Sequence, residues 1–337
     1  MDNPFTTVVG SWPLTNNEEN MIRIFEDLIQ IGVDYPCYPQ LISMIDQFLS
    51  PLAENFVQLE EINNKFYLND DFKVPKNPIA LQYGEFIKKF FMQRPHLSEQ
   101  IKGSKACLTG PFTLASEIIL KGELAKGIKP RVFTEPRAVM IDWIVEKLAE
   151  IIKQIGEAYS DMGIEIISCD EPILGFLIGR KVLFHSEEFL LEILNKSISG
   201  IKSLSSIHVC GRISPKCRDL LLQTNVKILD HEFATNEDNF EIFKREHFKK
   251  NEKLLALGTV KSKFLPINGR KINDYVEGVD FLKNYIKKAI EQYGKENLII
   301  KPDCGFLPLK DSFGENYGYE IAIKKVKNMV QALNELK

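Results

Sequence analysis

Ser206-Ile207-His208-Val209-Cys210-Gly211 places two soft metal ligands one residue apart at the end of a short apolar run. The glycine marks where a strand would stop and a loop would open. In an extended segment successive side chains alternate between faces, so His208 and Cys210 project the same way and can reach one ion. Zinc ordinarily takes four ligands drawn from Cys, His, Asp and Glu, so the remainder must come from elsewhere in the chain. Two later stretches have the same form. Ile228-Leu229-Asp230-His231-Glu232-Phe233 ends an apolar run in acid and imidazole, and Ile299-Ile300-Lys301-Pro302-Asp303-Cys304-Gly305 ends one in a thiol. Taken alone, His208 reads as a satisfied buried histidine and the cysteines as small core residues. The recurrence of ligand chemistry at strand ends favours a shared metal site.

Working outward, short apolar runs alternate with helical periodicity along the whole chain. Strands are predicted over residues 6–9, 33–37, 106–109, 164–169, 206–209, 226–229, 254–258 and 298–301. Helical spacing covers 18–31, 41–59, 85–92, 138–162, 187–201, 215–223, 236–248, 272–293 and 317–336. Gly32 follows the first helix as its stop, and Pro111 opens another within its first turn. Such alternation calls for a parallel sheet covered on both faces. Eight units without a break in composition predict an α/β fold with one catalytic domain over residues 1–337. Its expected form is a closed (β/α)8 TIM barrel with an excursion around residues 61–80, packed on one barrel end. Active sites in that fold lie at the carboxyl ends of the strands, where Gly10-Ser11, Thr109-Gly110-Pro111, Asp170-Glu171-Pro172 and the ligand candidates all fall. A dinucleotide fold is disfavoured, because no Gly-x-Gly-x-x-Gly follows the first strand.

Composition narrows the class. The 337 residues are 44% apolar, enough for a large core, and 43 Lys and Arg against 46 Asp and Glu give a net charge of -3. No basic stripe suggests a nucleic-acid partner. Six cysteines, at 37, 107, 169, 210, 217 and 304, in a chain without a secretory start read as reduced thiols and imply a cytoplasmic protein. No apolar run approaches the roughly 20 residues that a membrane-spanning helix needs.

Thr6-Thr7-Val8-Val9-Gly10-Ser11, Thr109-Gly110-Pro111, Asp170-Glu171-Pro172, His208-x-Cys210, Glu232 and Pro302-Asp303-Cys304-Gly305 span nearly the whole chain. Together and in order they resemble the catalytic barrel of cobalamin-independent methionine synthase, in its short archaeal-type core form. The resemblance implies a methyltransferase that moves a methyl group onto the thiol of homocysteine to form methionine. It implies zinc (Zn2+) held by His208, Cys210, Glu232 and Cys304, and homocysteine held by Val9, Gly10, Ser11 and Asp170. Gln40 stands where the family has a glutamate on the substrate amine; an amide there still accepts a hydrogen bond but gives up the charge attraction. Lys261, in Val260-Lys261-Ser262, stands nearest to the family's proton-handling histidine, so the catalytic roles carry over to Asp170 and Lys261. Two departures concern the methyl donor. Full-length enzymes hold methyltetrahydrofolate with a tryptophan after Thr-Gly-Pro and a glutamate after Asp-Glu-Pro, whereas Glu117 and Phe176 occupy those places here. Glu117 cannot stack on a pterin, and Phe176 cannot accept hydrogen bonds from its ring nitrogens. The expected donor is therefore a methylated corrinoid presented by a partner protein.

Two other readings use the same residues. A methylcorrinoid:thiol methyltransferase of the uroporphyrinogen-decarboxylase-like superfamily, acting on a thiol such as coenzyme M, resembles the chain in His-x-Cys and a late cysteine. Such enzymes generally lack the Ser11 and Asp170 contacts. A non-catalytic zinc-binding descendant would keep the metal for stability only, which Gln40, Glu117 and Phe176 leave open.

Overall fold

The computed structural model of the protein describes residues 4–337. Its strands are β1 (Phe5–Thr6), β2 (Leu59–Ile62), β3 (Lys65–Leu68), β4 (Lys105–Thr109), β5 (Ile118–Leu120), β6 (Ile166–Asp170), β7 (Leu204–Val209), β8 (Ile228–His231), β9 (Leu254–Gly258) and β10 (Leu298–Lys301). Seven of them make one parallel sheet in the order β1-β10-β9-β8-β7-β6-β4. The sheet is curled, because Lys105 on the edge strand β4 reaches across its concave side to within 3.3 Å of Asp230 on β8. The fold is thus α/β with a curled parallel sheet.

The strand expected over 33–37 does not form a ladder. Between β1 and β4 the chain makes isolated parallel bridges, Thr7 to Tyr35 and Cys37 to Lys105. Tyr35 N–H donates to Thr6 and Tyr38 N–H to Lys105. Pro36 and Pro39 lack N–H groups, so the segment can touch both neighbours but cannot sustain pairing with either.

Local chemistry fixes several boundaries. Helix Glu18–Ile31 begins on Asn17, whose side chain accepts from Asn20 N–H, and ends on Gly32 at φ 87, as its sequence signals require. The helix expected over 272–293 is broken into a turn at Ile272–Tyr275 and a helix at Val279–Tyr293, with Glu277 at the break drawn to Lys325 Nζ at 2.7 Å. The one expected over 236–248 divides into Asn239–Ile242 and Arg245–Asn251. The excursion is ordered: β2 and β3 form a hairpin through Asn63 and Asn64, both at positive φ as a type I′ turn demands, and β3 then pairs with β5. Among the described residues no helix is long and apolar enough to cross a membrane.

The concave face is layered. Phe5, Ile166, Ile228, Ala256 and Ile299 make a small apolar cluster of their own at the base. Two residues further along their strands, hence on the same face, come Ser168, Asp230 and Lys301, beside His208 and Lys105. Two further still come Asp170, Glu232 and Asp303, beside Cys210. The larger core, on the other face, packs the sheet against its helices.

Candidate active site

His208, Cys210 and Cys304 converge at the carboxyl ends of β7 and β10, with one ligand atom from each within 4.8 Å of the others. His208 Nε2 lies 3.0 Å from Cys210 Sγ and 3.6 Å from Cys304 Sγ, and the two sulfurs are 3.6 Å apart. A tetrahedral ion with bonds of roughly 2.0–2.3 Å to nitrogen and sulfur has ligand edges of roughly 3.5–3.8 Å. The donors therefore fit a borderline-soft ion with little movement. All six cysteines are free thiols, in keeping with that chemistry. Glu232 stands outside this trio, its Oε2 accepting from Asn236 Nδ2 at 2.7 Å. Burial raises its pKa, as do the neighbouring Cys304 and Asp303. His231, one position off the inward register, is buried and stacks on Phe243 at 5.3 Å, so it is no ligand.

The far nitrogen of His208 is held just as firmly. Nδ1 lies 2.5 Å from Asp230 Oδ1, which leaves Nε2 facing the thiols. Asp230 also meets Lys301 Nζ at 2.5 Å and Lys105 Nζ at 3.3 Å, all inside the sheet. Burial opposes charge on Asp230, yet Lys301, His208 and Lys105 outweigh it and hold the carboxyl well below the usual range. Burial likewise opposes charge on His208, but Asp230 prevails and pushes the imidazole up to about 10. An outer carboxylate that fixes the tautomer and direction of a ligating histidine is the usual support of a metal site. Asp230 and Lys301 stand in the two stretches that end in candidate ligands, but their partnership is visible only once the strands are assembled.

Two further side chains tie the loops that carry the donors. Asp303 accepts N–H groups of Phe233, Ala234 and Thr235 at 2.6–2.9 Å, binding the loop after Glu232 to the loop of Cys304. Asn239 donates to the carbonyls of Gly211 and Glu232 and accepts from Ile213 N–H, linking the loops of Cys210 and Glu232.

The remaining sequence candidates surround this centre unequally. The turn after β1 packs on the Cys304 loop: Phe306 N–H donates to Ser11 O at 2.8 Å, and a Cβ on Gly305 would overlap Ser11 Oγ. Val9 is buried and Gly10 O accepts from Gln40 N–H at 2.7 Å. The Gln40 amide is engaged, donating to Gln47 Oε1 at 2.6 Å. Asp170 pairs in register with His208 and accepts from Ser168 Oγ at 2.6 Å; burial raises its pKa, against the pull of His208 and Lys105. Lys261 is exposed on the loop leaving β9, where its N–H donates to Glu277. Its side chain makes no hydrogen bond to the three donors among the described residues.

Glu171 has a structural task that its motif did not reveal. Its carboxylate accepts N–H of Phe112 at 2.9 Å, N–H of Thr113 at 2.8 Å and Thr113 Oγ1 at 2.5 Å, holding the first turn of helix Pro111–Glu117. Burial pushes it up to about 7 against these donors. A Cβ on Gly110 would overlap this carboxylate, so Thr-Gly-Pro and Asp-Glu-Pro are one interlocked unit. Gly110→Ala is expected to cost about 1–3 kcal/mol by overpacking. The urea midpoint reads it, and an unshifted midpoint would refute the interlock.

A curled parallel sheet with a His/Cys cluster at its carboxyl end defines a TIM-barrel-like enzyme with a candidate metal centre. Residues 100–335 match the cobalamin-independent synthase catalytic domain, so the chain belongs to the cobalamin-independent methionine synthase family and is a methyltransferase. It is 27% identical to the methionine synthase of Methanocaldococcus jannaschii over 98% of this chain and 99% of that one. Its fold is similar to that of a B12-independent methionine synthase from Shewanella in complex with selenomethionine, with a TM-score of 0.64, 15% identity and coverage of 99% of this chain and 97% of that one. A methyltransferase from Methanosarcina mazei has a similar fold, with a TM-score of 0.63, 16% identity and coverage of 99% and 94%.

Proposed function

We propose that the chain is a zinc-dependent methyltransferase that forms methionine from homocysteine, with a methylated corrinoid as donor. The observation that carries this reading is the convergence of His208 Nε2, Cys210 Sγ and Cys304 Sγ beside the loops that bear Ser11 and Asp170. Zinc held there supplies the lowered thiol pKa that turns the substrate sulfur into a nucleophile. Glu232 would be the fourth ligand in this reading and the candidate for displacement by the substrate sulfur, with Asn236 as an alternative partner for its carboxylate. Asp170 makes a charge-assisted contact to the amino-acid substrate, with Gln40 at its amine and Val9, Gly10 and Ser11 around the rest, and Lys261 is the candidate for proton handling. Residues 33–37 act as the eighth stave of a (β/α)8 barrel, and residues 1–337 as one domain. Glu117 and the 51% exposed Phe176 stand where full-length enzymes hold the folate, and neither supplies a pterin contact, which favours a corrinoid.

The test is methionine formation by zinc-loaded protein from homocysteine with methylcobalamin, methyltetrahydrofolate or a methylated methanogen-type pterin. Faster turnover with either pterin overturns the corrinoid assignment, and methylation of coenzyme M but not homocysteine overturns the acceptor. Asp170→Asn is expected to retain zinc while raising the KM for homocysteine, because it loses a charge-assisted contact worth about 1.5–3 kcal/mol. An unchanged KM would leave Asp170 a structural role only.

A further inference from the structure

A second feature begins beside the Cys210 loop and ends in a cavity lined by none of the three donors. Helix Leu174–Leu177, which follows β6, packs on the Cys210 loop: a Cβ on Gly175 would lie 3.1 Å from the Cys210 carbonyl oxygen. The next residue, Phe176, starts a row of rings leading away from that loop. Phe176 lies 6.2 Å from Phe133, and Phe133 stacks at 6.0 Å on Phe184. At the end of the row opens a cavity of about 350 Å³ lined by Lys129, Arg131, Met140 and Phe184, among others. The Arg131 guanidinium sits 5.8 Å above the Phe184 ring and that of Arg137 5.8 Å from Phe133.

The charges there are unbalanced. Lys129 and Arg131, which line the cavity, are exposed, as are Arg180 and Lys181 a few residues before Phe184 in the chain, and Arg137 is half-buried; among the described residues none of the five makes an ion pair. Nearby Lys126 is already taken by Glu123, which leaves Glu135 as the exposed acid on the same loop, while Arg137 faces a neighbouring cavity that it lines with Asp46 and Glu117 and donates to the Glu117 carbonyl. The buried Nε of Arg137 has no hydrogen-bond partner. In a chain of net charge -3 this is a local reversal of sign, and its guanidinium groups are shaped for phosphate or carboxylate. Arg131 and Phe184 also hold positive φ, at 55 and 67, which for residues with side chains must be sustained by their surroundings.

We propose that this notch binds the anionic tail of the methyl donor, with Phe176 and Phe133 under the donor's ring system and Lys129 and Arg131 on its phosphate or carboxylates. The inference rests on the proposed function only in requiring that a separate molecule bring the methyl group. The tail is a phosphodiester if the donor is a corrinoid nucleotide and a run of carboxylates if it is a polyglutamyl pterin.

The experiment compares donors with and without a tail on zinc-loaded full-length protein. Methylcobalamin is set against methylcobinamide, which lacks the nucleotide phosphate, and methyltetrahydrofolate triglutamate against the monoglutamate. Equilibrium dialysis gives Kd for wild type, Lys129→Glu/Arg131→Glu, and Lys126→Glu as a charge control, each checked by circular dichroism for folding. The double variant is expected to weaken the tailed member of one pair by about tenfold or more, and the tailless member by less than about twofold. Added salt should erase the wild-type preference. The pair that responds identifies the class of tail. Equal weakening of both members, no weakening, or no wild-type preference for a tailed donor in either pair overturns the proposal. Because Kd is read without turnover, tail-dependent binding without methionine formation would refute the proposed function and leave the notch standing.

Discussion

Cys304→Ser is expected to fold normally, retain no more than about a tenth of the wild-type zinc, and form no measurable methionine. Cys304 Sγ is the donor that spans the site, 3.6 Å from both His208 Nε2 and Cys210 Sγ. A hydroxyl in its place is a poor ligand for a borderline-soft ion, and His208 and Cys210, with a Glu232 that stands outside the converged trio, are too few to hold one against dialysis. The fold should survive because Cys304 lies in the loop beyond β10, half-exposed, above the apolar base of the sheet. The backbone tie through Asp303 does not involve the Cys304 side chain. Metal content after dialysis, far-UV circular dichroism and the urea midpoint separate the outcomes. Wild-type zinc in the variant would remove Cys304 from the site, and a collapsed midpoint would make it a structural residue instead.

What the sequence made legible follows from which forces act locally. The two-residue spacing of His208 and Cys210 could be read because a strand end imposes alternation whatever its neighbours are, and both side chains do face one centre. Asp230 and Lys301 follow the same alternation onto the inner face of the sheet, yet charged residues are rarely buried without partners. Those partners lie on other strands, so the network stayed hidden. Periodicity ran through Glu277 because the helix break there depends on Lys325, a partner distant in sequence. Two misses were avoidable: Pro36 and Pro39 already forbade a full ladder over 33–37, and Asn63-Asn64 is a hairpin signal. The pairing of Gln40 with Gln47 illustrates the limit of carrying roles across by position. A glutamate at 40 would meet the Gln47 amide differently, so the amide belongs to its local setting as much as to any substrate.

Asp230→Ala is expected to be the most destabilising single change in the inner layer, at about 3–5 kcal/mol, and to weaken zinc binding about 10–100-fold. The two effects have different origins. Asp230 is fully buried and is the acid shared by Lys301, Lys105 and His208, so its removal strands the Lys301 and Lys105 ammonium groups inside the sheet. The Asp303 carbonyl, 2.7 Å from Lys301 Nζ, offsets only part of that cost. The metal effect comes instead from the lost partner of His208 Nδ1, which frees the ring to turn Nε2 away from the two sulfurs. A second substitution separates them. In Asp230→Ala/Lys301→Met the stranded charge at 301 is gone and an apolar side chain fills its place, so more than half of the stability should return. Zinc affinity should not return, because His208 still lacks its anchor. Urea midpoints and competition with a zinc chelator measure the two separately. Recovery of zinc affinity in the double variant would reduce Asp230 to a counter-ion for lysine, and a single-variant cost under about 1 kcal/mol would mean that the buried charges are relieved by water.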